Sequence, residues 1–106
     1  MQAMPTITSR KKLELIVDRA HLRRFIETLE RSGVRGYTVL ESTSGKGTRG
    51  AWLPDRLTDA TDRVVVVAVA HPDAADHVLE DLGALFEELP GVAFVSDVQV
   101  LRPERF

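Results

Sequence analysis

Residues 36–52, GYTVLESTSGKGTRGAW, decide how the chain is read. The segment starts as a strand: Tyr37, Val39 and Glu41 alternate with Thr38, Leu40 and Ser42, and its leading residues are aromatic or β-branched. It then ceases to be one. Between positions 42 and 61 lie glycines at 45, 47 and 50, Pro54, five charges and Trp52, with no apolar period that a helix or strand could use. A connection of roughly twenty residues far exceeds the ~4–6 usual in a compact domain, and such loops are usually functional or disordered. Function is therefore expected here.

Working outward, residues 11–17, KKLELIV, put Leu13, Leu15 and Val17 on one face of a strand and Glu14 and Ile16 on the other. Asp18 is placed to cap the helix that follows, whose apolar face is Leu22, Phe25, Ile26 and Leu29. Gly33 suits a left-handed helix end, and Gly36 opens the second strand. Beyond the long loop, residues 63–70 contain VVVVAVA, a run too continuous for a solvent face and thus a central strand. Pro72 suits a helix start, and Ala75, Val78, Leu82, Leu85, Phe86 and Leu89 supply a second apolar stripe. Pro90 and Gly91 end that helix, and residues 92–101 form a last strand in which Val92 and Phe94, then Val98 and Val100, alternate. Residues 1–10 are expected to be a flexible leader and 11–106 a single domain.

Composition narrows the function classes. The chain has 106 residues, 43% hydrophobic and 28% charged, as expected of one soluble globular domain. A net charge of -2 supplies no global field for nucleic acid, and none is expected as a partner. Cysteine is absent, which removes disulfides, thiolate metal sites and cysteine nucleophiles. No segment approaches the ~18 apolar residues of a membrane span, and no signal peptide is recognisable, so a cytoplasmic location without membrane insertion is expected. His21, His71 and His77 have no spacing that pairs two on one helical face, so no metal site is expected. No nucleophile arrangement such as GxSxG or HExxH occurs, and the carboxylates of the second helix lie on its solvent side, so no catalytic residue is assigned.

The element order βαββαβ implies an α+β, ferredoxin-like sandwich: a four-stranded antiparallel sheet with two helices on one face. Apolar residues on both faces of the central strands imply that the second face is covered as well, and at this length a symmetric oligomer is the expected cover. The fold alone assigns no activity.

Gly45-Lys46-Gly47 followed by Thr48 superficially matches the end of a Walker A loop, since glycines let amides approach phosphate and lysine adds a charge. The match is poor: Leu40 occupies the place of the upstream glycine, Gly47 separates lysine from threonine, and no helix follows. Two readings stay open, a solvated glycine-rich loop and a phosphate or small-anion contact of another kind. Lys46, Arg49, Arg56 and Arg63 make the loop locally cationic, but Asp55, Asp59 and Asp62 intersperse them. Trp52 is either an anchor on its own subunit or a hot spot for a partner.

GYTVLE and SGKGTRG between the middle strands, with SDVQVLRPERF at the end, resemble the PII signalling superfamily over residues 11–106. The resemblance is closer to the PII-like proteins associated with carboxysomes and bicarbonate uptake than to the nitrogen sensors. It implies a non-catalytic signalling homotrimer in which residues 42–61 are the T-loop. Adenine nucleotide would lie between subunits, with bicarbonate as an accompanying ligand. The T-loop would regulate a protein target such as a transporter or carboxysome-linked protein in inorganic-carbon metabolism. Gly36, Tyr37 and Thr38 correspond to the strand at the T-loop base, Gly45, Lys46 and Gly47 to the glycine pair past it, and Arg102 to a phosphate ligand. Arg49 and Trp52 become partner or anion contacts. The nitrogen sensors carry a glycine-rich, lysine-bearing loop before the last strand, where this chain has only Leu89, Pro90 and Gly91, so ADP or AMP is implied rather than a triphosphate. Tyr37, the only tyrosine, is on a strand, so the uridylylation of the nitrogen sensors is not expected.

Two readings from other classes share the strand order. An amino-acid-binding regulatory module of the ACT type would not need a twenty-residue loop between the middle strands. An acylphosphatase-type enzyme would need a phosphate-cradling loop near the first helix, which this chain lacks.

Overall fold

The computed structural model describes residues 7–47, 50–52 and 62–106. Strands β1 (Ile7–Asp18), β2 (Tyr37–Glu41), β5 (Arg63–Ala70) and β6 (Gly91–Leu101) form one antiparallel sheet in the order β2-β5-β1-β6. Helices α1 (Leu22–Arg31) and α2 (Pro72–Phe86) contribute their apolar stripes to one core with it, and Phe25 meets Phe86 at a ring-centroid distance of 5.2 Å. The ferredoxin-like α+β class is as expected.

The alternation in β1 and β5 sets the layers. Leu13, Leu15, Val17, Val64 and Val66 are fully buried on the helix side, whereas Glu14, Ile16, Val65 and Val67 point the other way and keep partial exposure. Gly33 ends the α1 region at φ +100°, in the region expected of a glycine helix end. At the start of α2, Pro72 occupies the first turn and His71 Nδ1 accepts from the Asp73 amide at 3.2 Å. Gly91 is required where β6 begins: its φ is +140°, and an added Cβ would lie 2.9 Å from the Ile16 carbonyl oxygen.

Three local expectations change, and the register of β6 assigns its faces. β1 starts at Ile7 rather than at residue 11, because residues 7–10 pair with 98–101 of β6 through the backbone, which needs no apolar period. Asp18 makes no side-chain cap; it lies directly opposite Arg63 and forms a largely buried ion pair with it, Oδ1 to Nε 3.3 Å. In β6 the helix-side registers are those of Gly91, Ala93 and Val95, so Val92 and Phe94 face away from the helices. Finally, the loop contains a ribbon: β3 (Gly45–Gly47) pairs with β4 (Gly50–Trp52), with Lys46 opposite Ala51. Gly50, at φ +109°, takes a backbone conformation that a side chain would oppose.

Candidate functional site

The expected site residues fall into two groups at opposite ends of the sheet. β2 begins at Tyr37 opposite Ala68, near the end of β5, and finishes at Glu41 opposite Val64, near its start. The first and last residues of this strand are about 14 Å apart at strand rise.

At one end, Gly36, Tyr37 and Thr38 line a cleft of about 300 Å³ with Val67, Arg105 and Phe106. Its walls combine an aromatic ring, β-branched side chains and a guanidinium, a mixture suited to a flat heterocycle carrying negative charge. The C-terminal turn builds the outer wall. Arg102 adopts φ +59°, the only positive value at a non-glycine among the described residues. The chain then reverses through a 3-10 turn (Pro103–Arg105), in which Arg105 N–H donates to the Arg102 carbonyl at 3.0 Å and Phe106 N–H to that of Pro103 at 3.1 Å. The reversal places Arg105 and Phe106 against the cleft. Arg102 shares this end of the sheet but stays exposed, with its Nε 3.7 Å from Glu104 Oε1, and does not line the cleft.

Sequence reading missed Arg105 and Phe106. Their signal was slight: a proline two residues past the last strand, ahead of a terminal arginine and aromatic. A second cavity of about 450 Å³, which shares Val69 and Phe106 with the cleft, is lined by Arg10, Arg35 and His71 among others, none of these three singled out from the sequence as a ligand contact.

At the other end, Gly45, Lys46 and Gly47 form β3 of the ribbon. Both roots of the long loop are tied to Arg19. Its guanidinium donates to Glu41, Nη1 to Oε1 3.1 Å, where β2 ends; its amide donates to the Asp62 carbonyl at 2.9 Å, just before β5. The hydrogen bond from Arg19 holds the Glu41 carboxyl below the ordinary glutamate range; desolvation opposes this, and the guanidinium charge adds to it. Arg49 lies outside the described residues, as do positions 1–6 of the leader and 53–61 of the loop. Trp52 is described by its backbone alone, as the end of β4, which leaves both readings of its side chain outside the described structure.

Among the described residues, no group of three or more His, Asp or Glu could hold a metal ion, and no helix is long and apolar enough to cross a membrane.

No curated protein sequence matches the chain. Solved structures do. CPII, a nitrogen regulatory PII-like protein from Thiomonas intermedia K12 bound to ADP, AMP and bicarbonate, is 33% identical, with 97% of this chain and 98% of that one covered and a TM-score of 0.87. The same protein bound to ADP and bicarbonate gives 35% identity, 97% and 99% coverage and a TM-score of 0.84. GlnK from B. subtilis, in complex with ATP, is 18% identical over 85% of this chain and 82% of that one, with a TM-score of 0.63, and shares the fold. The model of the family described as nitrogen regulatory protein P-II matches residues 10–105. Matched over nearly its whole length and carrying the family's sheet, helices and long loop between β2 and β5, the chain belongs to the nitrogen regulatory protein P-II family.

Proposed function

We propose that the chain is a non-catalytic PII-like signalling protein that assembles as a homotrimer and binds adenine nucleotide, ADP or AMP, between subunits. Bicarbonate accompanies the nucleotide, and the T-loop regulates a protein partner in inorganic-carbon metabolism. The observation that carries this reading is the separation of the expected ligand contacts. Gly36, Tyr37 and Thr38 lie at the end of the sheet that the C-terminal turn closes, and Gly45, Lys46 and Gly47 lie on the ribbon at the other. A nucleotide touching both groups is held where the C-terminal end of one copy meets the ribbon end of the next. Arg102 and Arg105 stand near its phosphates. The ligands bound by the similar CPII, ADP, AMP and bicarbonate, supply the ligand class.

The uncovered sheet face supports the assembly. Leu40, Val92 and Phe94 are about half exposed there, at 48%, 51% and 54%. Three copies packed around a threefold axis bury that face and bring unlike ends together. The signal then follows from differential binding: a ligand that contacts one posture of the ribbon better than another shifts the loop by that difference and no more. Arg19, fastened to both roots of the loop, limits how that shift propagates.

The test is complementation. Arg105→Glu and Lys46→Glu variants each lose ADP binding by calorimetry. Co-assembled in equal amounts, they regain about a quarter of the wild-type sites, because one seam in four joins two unaltered ends. A site contained in one subunit recovers nothing, and that result, or a monomer in sedimentation, removes the proposal. Added bicarbonate is expected to tighten ADP binding.

A further inference from the structure

The C-terminal turn, residues 102–106, is held to the body of the protein weakly. Arg10 projects from β1 and Arg35 from the segment between α1 and β2, and their guanidinium groups reach consecutive carbonyls of the turn. Arg10 Nη2 lies 3.4 Å from the Pro103 oxygen and Arg35 Nη1 3.5 Å from that of Glu104, both at the long limit for a hydrogen bond. The shorter bonds of the turn, from the Arg105 and Phe106 amides, are internal and would travel with it. Glu104 likewise faces Arg102, inside the turn. No residue from 102 to 106 is buried.

Two features of this position are unfavourable. Arg102 sits at φ +59° and ψ +58°, in the left-handed region that costs a residue with a side chain and persists only where the surroundings enforce it. Arg10 Nε is shut off from solvent with no hydrogen-bond partner among the described residues, a costly state for a charged donor. Lifting the turn relieves both, since Arg102 can return to an extended conformation and water can reach Arg10. Two long hydrogen bonds and the partial burial of Pro103 and Phe106 oppose it. The two positions are therefore close in free energy.

What the turn covers gives that balance a consequence. Phe106 and Val69 line both the cleft of about 300 Å³ and the cavity of about 450 Å³, and Pro103 and Glu104 add to the wall of the larger one. Arg105, the one charged residue in the cleft lining among the described residues, rides on the same turn. We infer that residues 102–106 are a strap with two positions. Closed, it walls both cavities and gives the cleft its guanidinium and its C-terminal aromatic ring. Open, it withdraws both groups and leaves one trough over residues 67–70 of β5. A ligand that uses Arg105 or Phe106 selects the closed position, and its apparent affinity follows the closed share. The strap does not rest on the nucleotide reading; its coupling to ADP does.

Fluorine NMR of the ligand-free protein, with para-fluorophenylalanine at its four phenylalanine positions, reads the strap directly. The Phe106 resonance, assigned through Phe106→Leu, is expected to show relaxation dispersion from an open share on the order of 1–10%. Those of Phe25 and Phe86, which meet at 5.2 Å, are expected to show none. Arg35→Gln removes one tie and is expected to raise the open share about three- to tenfold. Arg102→Gly removes the cost of the left-handed conformation and is expected to lower it. Val69 methyl groups should relax faster with a soluble gadolinium chelate in Arg35→Gln than in the wild type. ADP affinity is expected to fall in Arg35→Gln by the factor by which the closed share falls. A Phe106 resonance without dispersion overturns the strap, as does one that both variants leave unmoved or move in the same direction, or Val69 relaxation unchanged in Arg35→Gln. If ADP does not bind the wild type, the nucleotide reading falls while the fluorine result still decides the strap. ADP affinity unchanged in a variant whose open share has shifted overturns the coupling.

Discussion

The two faces of the sheet are built from alternate residues of the same strands and end in opposite states. Leu15, between Val66 and Ala93 in register, is fully buried, while the next residue, Ile16, sits between Val65 and Val92 on the other side and retains exposure. The helix side is finished by the chain itself, since α1 and α2 supply Phe25, Leu29, Val78 and Leu82, all at most 1% exposed. The other side mixes Leu40, Val92 and Phe94 with Lys12 and Glu14, whose ion pair spans 3.2 Å. A face that is half apolar and half charged is stable enough in water to fold and apolar enough to be worth covering.

That contrast breaks most sharply at Leu15. Leu15→Ala removes a side chain with no solvent exposure from a core that helices and sheet close on all sides. A loss of about 2–5 kcal/mol is expected in urea denaturation, independent of protein concentration. A loss below about 1 kcal/mol would mean that the helix face is not the closed one.

Phe94 sharpens the comparison from the other side. It is 54% exposed in the single chain, so Phe94→Asp should leave the far-ultraviolet circular dichroism spectrum intact. Assembly measured by sedimentation velocity is expected to weaken at least about tenfold, since the charge would be buried against a neighbouring copy. Unchanged sedimentation would place the covering of this face elsewhere.

The same division explains what the sequence disclosed. Leu13, Leu15, Val17 and the run VVVVAVA carry the fold in side-chain periodicity, which is local and therefore readable. The features that were not legible depend on backbone pairing or distant register. Residues 7–10 join β1 by pairing with the end of β6, and the ribbon of β3 and β4 is held by peptide groups flanked by glycines. Asp18 looked like a helix cap because its position in the sequence suits one, but the register of β1 on β5 puts Arg63 directly across from it. The candidate cleft was half visible. Gly36, Tyr37 and Thr38 do line a cleft, but Arg105 and Phe106 reach it only because Arg102 takes a left-handed conformation that arginine does not announce.

The smallest expected effect lies where the sheet meets the long loop. Glu41 is exposed, so its pairing with Arg19 adds little to global stability, but that pairing fixes one root of the loop while the Arg19 amide fixes the other through Asp62. Arg19 depresses the Glu41 pKa in the folded state, so the pair's contribution is full above the ordinary glutamate range near ~4.3 and is lost as pH falls through the lower folded value. In Arg19→Gln, the Glu41 side-chain carbon followed by NMR is expected to titrate within the ordinary range. The stability difference from wild type, measurable at pH 7, is expected to shrink as the pH drops below that range. Amide exchange at residues 42–47 should quicken at pH 7 while exchange in β1 and β5 holds, because the core strands do not depend on this pair. An unaltered Glu41 midpoint would detach the loop root from Arg19. The ribbon would then be positioned by pairing between its own two strands, and changes at the cleft end of the sheet would have to reach it by another route.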